Sequence, residues 1–152
     1  MIDENKSMFV HPTLLVDVGG VGDAVGDNLA RDITHPFVRY KLTGGTAQTF
    51  NRGQNYTVPR TEMFNQLYAA FANNRIHINP RLKHAETLIK ELRNLTPQMS
   101  EETGAVKVVH RTGEHDDLAI CLASTNWLAN LPRNVVRAVN DERTLRKLMG
   151  AR

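Results

Sequence analysis

The chain has 152 residues, a length that fits one domain, with 41% hydrophobic and 23% charged residues. This ordinary composition is typical of a soluble globular protein and excludes a disordered or fibrous one. The formal net charge of +3 is mildly basic, which suits a polyanionic partner without requiring one. The single cysteine, Cys121, excludes an intramolecular disulfide and disfavours a thiolate zinc site, and its apolar neighbours predict a small, buried core residue.

The sequence contains neither a predicted membrane segment nor a predicted secretion signal. No apolar run approaches the ~18 residues that a membrane span needs. Residues 1–12 are predicted to form a polar N-terminal tail, whose charges are not followed by the apolar stretch of a signal peptide. We therefore expect no membrane partner and a cytoplasmic location.

The first part of the chain alternates between strand-like and helix-like segments. Residues 13–18 are apolar and β-branched and end in glycines, which predicts a short buried strand. A helix is predicted over 21–31 and a second strand over 37–42. The polar segment 43–57, rich in glycine and asparagine, is predicted to be a loop.

The second part continues this alternation and adds a hairpin. Helices are predicted at four places, namely 59–71, 82–95, 116–130 and 134–148. Residues 75–78 predict a short strand, and the segments 98–100 and 105–110 flank a turn in a predicted hairpin. Strands that alternate with helices imply an α/β fold, and the hairpin makes its sheet mixed. The strongly apolar helix 116–130 is expected to pack on the sheet through Leu118, Ile120, Leu122 and Trp127.

Asp17 is an acid inside the apolar run 14–18. Burying a carboxylate is costly unless a second group pairs with it. Two interpretations stay open at this point. Asp17 either accepts hydrogen bonds from the amides of the following turn or binds a metal ion at the carboxyl end of its strand.

A second group of candidate residues directly precedes the apolar helix and consists of Glu114, His115, Asp116 and Asp117. Acids at a helix start are favoured by capping and by the helix dipole. Three acids are more than one cap requires, however, and they lie at the edge of the predicted core. With Asp17 they suggest a carboxylate cluster assembled from distant segments, so we expect Asp17 and Asp117 to lie close together.

Converging carboxylates are ligands for hard divalent cations such as Mg²⁺ or Mn²⁺. Two such ions held about 3.5–4 Å apart can activate a water and stabilise the leaving oxygen in phosphodiester hydrolysis. Four basic residues could contact DNA phosphates, although each alone is more often a solvated surface charge: Arg60, Arg75, Lys107 and Arg111. The glycines of segment 19–26 suggest a dinucleotide-binding turn as an alternative, which the missing acid after strand 37–42 weakens.

In their order along the chain, these motifs resemble the C-terminal nuclease domain of phage terminase large subunits. The motifs that carry the resemblance are a Val-Asp strand end with a Gly-Val-Gly turn at 16–22, a Val-Pro-Arg helix start at 58–60, a short strand at 75–78, a Leu-x-x-Glu-Leu helix ending at 88–95 and a His-Asp-Asp-Leu signature at 115–118. A tryptophan later in the last helix, Trp127, also matches the family. The similarity covers residues 14 to about 130.

The resemblance implies an RNase H-like mixed sheet flanked by helices over 13–131. After it, the basic residues of 132–152 predict a C-terminal helix or tail. It also implies an endonuclease that uses two Mg²⁺ or Mn²⁺ ions to cut concatemeric phage DNA during packaging. By the same resemblance, Asp17 is the second catalytic carboxylate and Asp117 the last one. Asp116, Glu114 and His115 are expected to assist them.

The chain also departs from the family pattern. The family's first acid lies on an earlier strand, and residues 1–12 are too short for the first three strands. We therefore expect a domain that lacks its first strands, weak or no nuclease activity of the chain alone, and self-association through an exposed sheet edge. We also expect no ATPase site in this chain, because the sequence contains no P-loop.

The partners implied by the resemblance are double-stranded DNA, the terminase ATPase domain, the portal and the small terminase subunit, in the cytoplasm of a bacterial host. Two alternative functions stay open. The chain could be a non-catalytic truncated remnant that only binds DNA or packaging partners. It could also be another RNase H-like nuclease, such as a resolvase.

Overall fold

The computed structural model describes residues 13–20, 22–32, 37–45, 47–51, 55–101, 104 and 106–131. The predicted tail over 1–12 and the predicted basic helix over 134–148 lie outside these residues. The described residues fall into two compact units. One contains the elements up to Thr57, and the other runs mainly from Val58 to Asn130.

The first unit contains a four-stranded mixed sheet and one helix. Its elements in chain order are β1 (Leu14–Asp17), α1 (Gly22–Asp32), β2 (Phe37–Thr43), β3 (Thr49–Asn51) and β4 (Asn55–Pro59). The strand order is β1-β2-β4-β3, with β1 and β2 parallel and β3 and β4 antiparallel. The predicted α/β class and the predicted mixed sheet are therefore confirmed.

Glycines allow α1 to approach β1 closely in this unit. Val18, which follows β1, is almost fully buried and its N–H donates to the Tyr40 carbonyl of β2 at 2.8 Å. A Cβ atom at Gly26 of α1 would lie only 2.9 Å from Val18 Cγ1. Gly20, in the turn between β1 and α1, has a φ of 63°, a conformation that glycine adopts without steric cost.

The second unit combines three helices with a hairpin. Its elements are α2 (Arg60–Ala72), α3 (Ala85–Arg93), β5 (Leu95–Met99), β6 (Val106–His110) and α4 (Asp117–Asn130). The antiparallel strands β5 and β6 pair from Leu95↔His110 to Met99↔Val106 and form a two-stranded sheet. The predicted hairpin is thus confirmed, but the antiparallel pair that makes the larger sheet mixed is β3–β4.

Within the second unit, helix α4 packs mainly against α2 and α3, whereas the sequence predicted packing on the sheet. One face is fully buried and carries Ala119, Ala123 and Trp127 at four-residue spacing. The expected core position of Trp127 is confirmed, whereas Leu118, Ile120 and Leu122 are only half-buried. Among the helices of the described residues, none is both long and apolar enough to cross a membrane.

Two segments of the chain differ from their predicted structure. The predicted loop 43–57 contains β3 and most of β4, in which the ring centres of Phe50 and Tyr56 lie 4.5 Å apart as a cross-strand pair. The predicted strand 75–78 is neither strand nor helix. Asn74, which follows the C-cap residue of α2, has a φ of 53°, and the Arg75 N–H donates back to the Ala70 carbonyl at 2.8 Å, so Arg75 takes part in closing the helix.

Candidate functional site

Asp17 is the last residue of β1, and its side chain is exposed although its neighbours in the chain are apolar. Its Oδ1 accepts a hydrogen bond from the Gly19 N–H at 2.8 Å. A Cβ atom at Gly19 would lie 3.1 Å from that oxygen, so the tight turn favours glycine. Asp17 therefore accepts a hydrogen bond from the following turn, as the first of the two interpretations predicted. This bond uses one of its two carboxylate oxygens.

Asp116, directly before α4, is the buried acid of the second group, with a side chain that is 9% exposed. Its Oδ2 accepts a hydrogen bond from Arg60 Nη2 and lies 3.0 Å from His110 Nδ1. A buried carboxylate requires such partners, because its charge is costly to remove from water. Asp116 thereby links the start of α4 to α2 and β6.

Arg60, the first residue of α2, has internal partners along its guanidinium group. Its Nε donates to the Val108 carbonyl of β6 at 2.9 Å, while its Nη2 donates to Asp116. The guanidinium carbon lies 4.9 Å from the centre of the Phe64 ring. The side chain is 22% exposed. Arg60 therefore makes contacts within the protein, and the DNA contact predicted from the sequence stays a prediction.

The start of α4 is capped by a residue of another helix. Ala119, at the third position of α4, donates its N–H to Glu91 Oε2 at 2.9 Å. Glu91 belongs to α3 and is 7% exposed. Glu91 was not predicted from the sequence, although an acid next to Leu88 and Leu92 on the apolar stripe of α3 was the available signal.

The remaining acids of the group are more accessible. The side chain of Asp117 is 84% exposed and its Oδ2 lies 3.9 Å from Nδ1 of the equally exposed His115. Glu114 pairs with Lys90 Nζ at 2.9 Å. The acids predicted as one cluster thus occupy three different environments, and only Asp116 is buried.

The other predicted phosphate contacts lie on the surface of the second unit. Arg75 donates to Asn130 Oδ1 at 2.8 Å, at the end of α4. Lys107 on β6 and Arg111 after it are exposed. These three side chains are accessible to a polyanion, and their contact with DNA stays a prediction.

Cys121 is exposed, which corrects the prediction of a buried core residue. At about 100° per residue, Cys121 lies about 200° around α4 from Ala119 and so falls away from the buried face. Partial desolvation raises the pKa of the thiol above its ordinary value, and the negative charges of Asp117 and Glu91 raise it further. The thiol is therefore less reactive than its exposure suggests.

The fit of these residues to a divalent cation can be judged from their oxygen atoms. Asp17 and Asp117 offer exposed carboxylates, which are hard ligands, and Mg²⁺ in proteins often binds through one or two carboxylates while keeping water or phosphate ligands. Within the described residues, no group of three or more His, Cys, Asp or Glu side chains is arranged to hold a metal ion. Asp17 belongs to the first unit and Asp117 to the second, so their convergence stays a prediction.

Comparison of the chain with protein-family models, with curated proteins and with solved structures found no match.

Proposed function

We propose that the chain carries part of the nuclease domain of a viral DNA-packaging terminase large subunit and acts as a metal-dependent DNA endonuclease with an RNase H-like fold. The observation that carries the proposal is the contrast between two neighbouring acids. The carboxylate of Asp116 is paired with Arg60 and His110, whereas the carboxylate of Asp117, at the first position of α4, is exposed. The exposed carboxylate of Asp117 is therefore the one of the pair that is accessible to a metal ion.

The second support is the place of Asp17. It ends a strand that pairs in parallel with β2, and ligand sites in α/β sheets lie outside the carboxyl ends of such strands. One of its oxygens is held by the Gly19 amide, which fixes the carboxylate. The other oxygen has no hydrogen-bond partner within the described part of the chain.

In this proposal Asp17 and Asp117 hold Mg²⁺ or Mn²⁺, with Glu114 as a further candidate. Two bound ions would supply an activated water and charge stabilisation for the leaving oxygen of a phosphodiester. Arg75, Lys107 and Arg111 would hold the DNA backbone by charge. His115, whose Nδ1 lies 3.9 Å from Asp117 Oδ2, would serve as the group that takes up or releases a proton.

The test is metal-dependent binding of a short DNA duplex, because the phosphates of the substrate complete the coordination of such ions. We expect Mn²⁺ to strengthen duplex binding in a gel-shift assay, and Asp17→Asn and Asp117→Asn to remove this gain. Asp32→Asn, an exposed acid at the end of α1, is the matched control and should retain it. If neither Mn²⁺ nor the two substitutions change the affinity for the duplex, the result would instead favour a non-catalytic remnant that only binds DNA.

A further inference from the structure

Strand β1 is one edge of the four-stranded sheet, and its outer side pairs with no strand of the described residues. The Val18 N–H donates to the Tyr40 carbonyl, and the backbone groups of successive residues in a strand point to alternate sides. The N–H and C=O groups of Leu15 and Asp17 therefore point away from β2. The apolar residues 14–16 are only half-buried. An apolar edge with unpaired backbone groups is a template for pairing with another strand.

The other strand edges of the described residues carry features that discourage such pairing. The outer edge of β6 is closed by α2, because Arg60 Nε and Thr61 Oγ1 donate to carbonyls of this strand. Pro97 of β5 lies opposite Val108, whose carbonyl faces Arg60, so Pro97 also faces outwards and offers no N–H there. Strand β3 has three residues, two of them polar. In contrast, three of the four residues of β1 are apolar, and its register with β2 is regular.

The sequence around β1 is complementary to itself in the antiparallel direction. If two copies pair with Leu15 opposite Leu15, Leu14 lies opposite Val16 of the second copy. Thr13 then lies opposite Asp17, so that polar residues meet at both ends and apolar residues meet in the middle, which is favourable across strands. A shift of the register by two residues in either direction would place Leu15 opposite a polar residue, Asp17 or Thr13.

We propose that the chain forms a symmetric dimer in which β1 pairs antiparallel with β1 of a second copy, with Leu15 on the two-fold axis. The two four-stranded sheets then become one continuous sheet. A two-fold interface of this kind closes on itself, so the product is a dimer and not a fibre. Self-association through an unspecified sheet edge was expected from the sequence. The dimer does not depend on the proposed nuclease function, because it uses only the edge of the first unit.

Helix α1 leaves room for this pairing. Gly26 of α1 lies against Val18, and its carbonyl accepts a hydrogen bond from Arg39 of β2 at 2.9 Å, so α1 lies across β1 and β2 on one face of the sheet. In the dimer the two α1 helices share that face and are separated by two strand spacings, roughly 10 Å. This separation is within the range usual for the axes of packed helices.

Sedimentation velocity tests whether the full chain dimerises through β1. We expect a monomer–dimer equilibrium at concentrations up to about 100 μM, because a single strand pair is a small interface and binds weakly. Leu15→Lys should raise the dissociation constant at least about tenfold, since it places like charges opposite each other. Met99→Lys is the matched control, because Met99 is an exposed apolar residue on the edge strand β5, and it should leave the dissociation constant unchanged.

Mixing two variants tests the register. Leu15→Lys and Leu15→Glu should each be monomeric alone, whereas an equimolar mixture should recover the dimer, because a lysine of one copy then faces a glutamate of the other. This recovery also shows that both variants are folded. A mixture that stays monomeric would overturn the proposal. A Leu15→Lys variant that dimerises as well as the unaltered chain would overturn it too.

Hydrogen exchange identifies what occupies the edge of β1. In the dimer, the Leu15 and Asp17 amides should exchange more slowly as the protein concentration rises, whereas the Val18 amide, which already donates to Tyr40, should change less. Protection of Leu15 and Asp17 that is independent of concentration would assign the edge to a segment of the same chain and contradict the dimer. Fast exchange of both amides at every concentration would show an unpaired edge and contradict it equally.

Discussion

Asp116 and Asp117 are adjacent acids whose side chains have opposite environments, 9% and 84% exposed respectively. The pattern His-Asp-Asp-Leu does not say which of them is buried, because the deciding partner, Arg60, lies 56 positions earlier in the chain. The sequence therefore predicted the group of acids but could not show which of them is buried and which is exposed. The same limit applies to Glu91, whose amide partner is 28 positions away.

Cys121 offers a test of the charge around the start of α4. Partial desolvation and the charges of Asp117 and Glu91 raise the pKa of its thiol, so less thiolate is present at a given pH. We expect iodoacetamide to alkylate the folded chain more slowly than the urea-unfolded chain at pH 8, with a rate that keeps rising above the ordinary pKa of a thiol. Asp117→Asn should lower the pKa and speed the reaction.

The unfolded chain serves as the control for the folded chain, because the same thiol is alkylated in both states. Equal rates for the folded and unfolded chain would contradict this account of Cys121. So would an Asp117→Asn variant that reacts at the rate of the unaltered chain.

At the scale of elements, the start of α4 depends on a cap supplied by α3. Replacing Glu91 with alanine removes the acceptor of the Ala119 N–H and leaves that buried donor unpaired. We expect Glu91→Ala to lower the free energy of unfolding by about 1–3 kcal/mol, and Glu91→Gln, which keeps an acceptor, to cost less.

Urea unfolding measures this difference, with Glu86→Ala as the control because Glu86 lies exposed in the first turn of the same helix. If Glu86→Ala lowers the free energy of unfolding as much as Glu91→Ala does, the loss of the cap is not the cause of the destabilisation.

The close approach of α1 to β1 gives a second prediction for an element. A methyl group at Gly26 would lie 2.9 Å from Val18 Cγ1, closer than packed side chains allow. We expect Gly26→Ala to cost about 1–3 kcal/mol of stability through overpacking. Gly45→Ala is the control, since the nearest atom there is Thr43 Oγ1 at 3.7 Å, an ordinary contact. Equal unfolding midpoints for the two variants would contradict the packing described for Gly26.

The elements that the sequence predicted correctly are those whose pattern is local. The apolar periodicity of α2 and α4 and the turn of the β5–β6 hairpin need only neighbours in the chain. The strand predicted at 75–78 failed because Arg75 is engaged in closing α2, and strand formation also needs a partner that no local pattern specifies. The β3–β4 pair was not predicted because the glycine and asparagine content of this segment indicated a loop, and the cross-strand contact of Phe50 with Tyr56 has no local sequence signal.

At the scale of the whole molecule, the proposed metal centre joins two acids that lie 100 positions apart in the chain, Asp17 and Asp117. A metal ion held by both acids would stabilise the folded chain by mass action, because the unfolded chain does not bring the acids together. We expect Mn²⁺ to raise the thermal unfolding midpoint of the chain, and Asp17→Asn to abolish this rise. A rise that survives in Asp17→Asn would place the ion on the second unit alone.

The most direct measurement of the central claim is a Mn²⁺ titration followed by amide signals in nuclear magnetic resonance spectra, because Mn²⁺ broadens the signals of nearby nuclei. We predict that the amides of Gly19 and Leu118 lose intensity together, at the same Mn²⁺ concentration, and that Asp17→Asn protects Leu118 as well as Gly19. Two separate midpoints, or broadening at Leu118 that does not depend on Asp17, would contradict a metal centre formed jointly by Asp17 and Asp117.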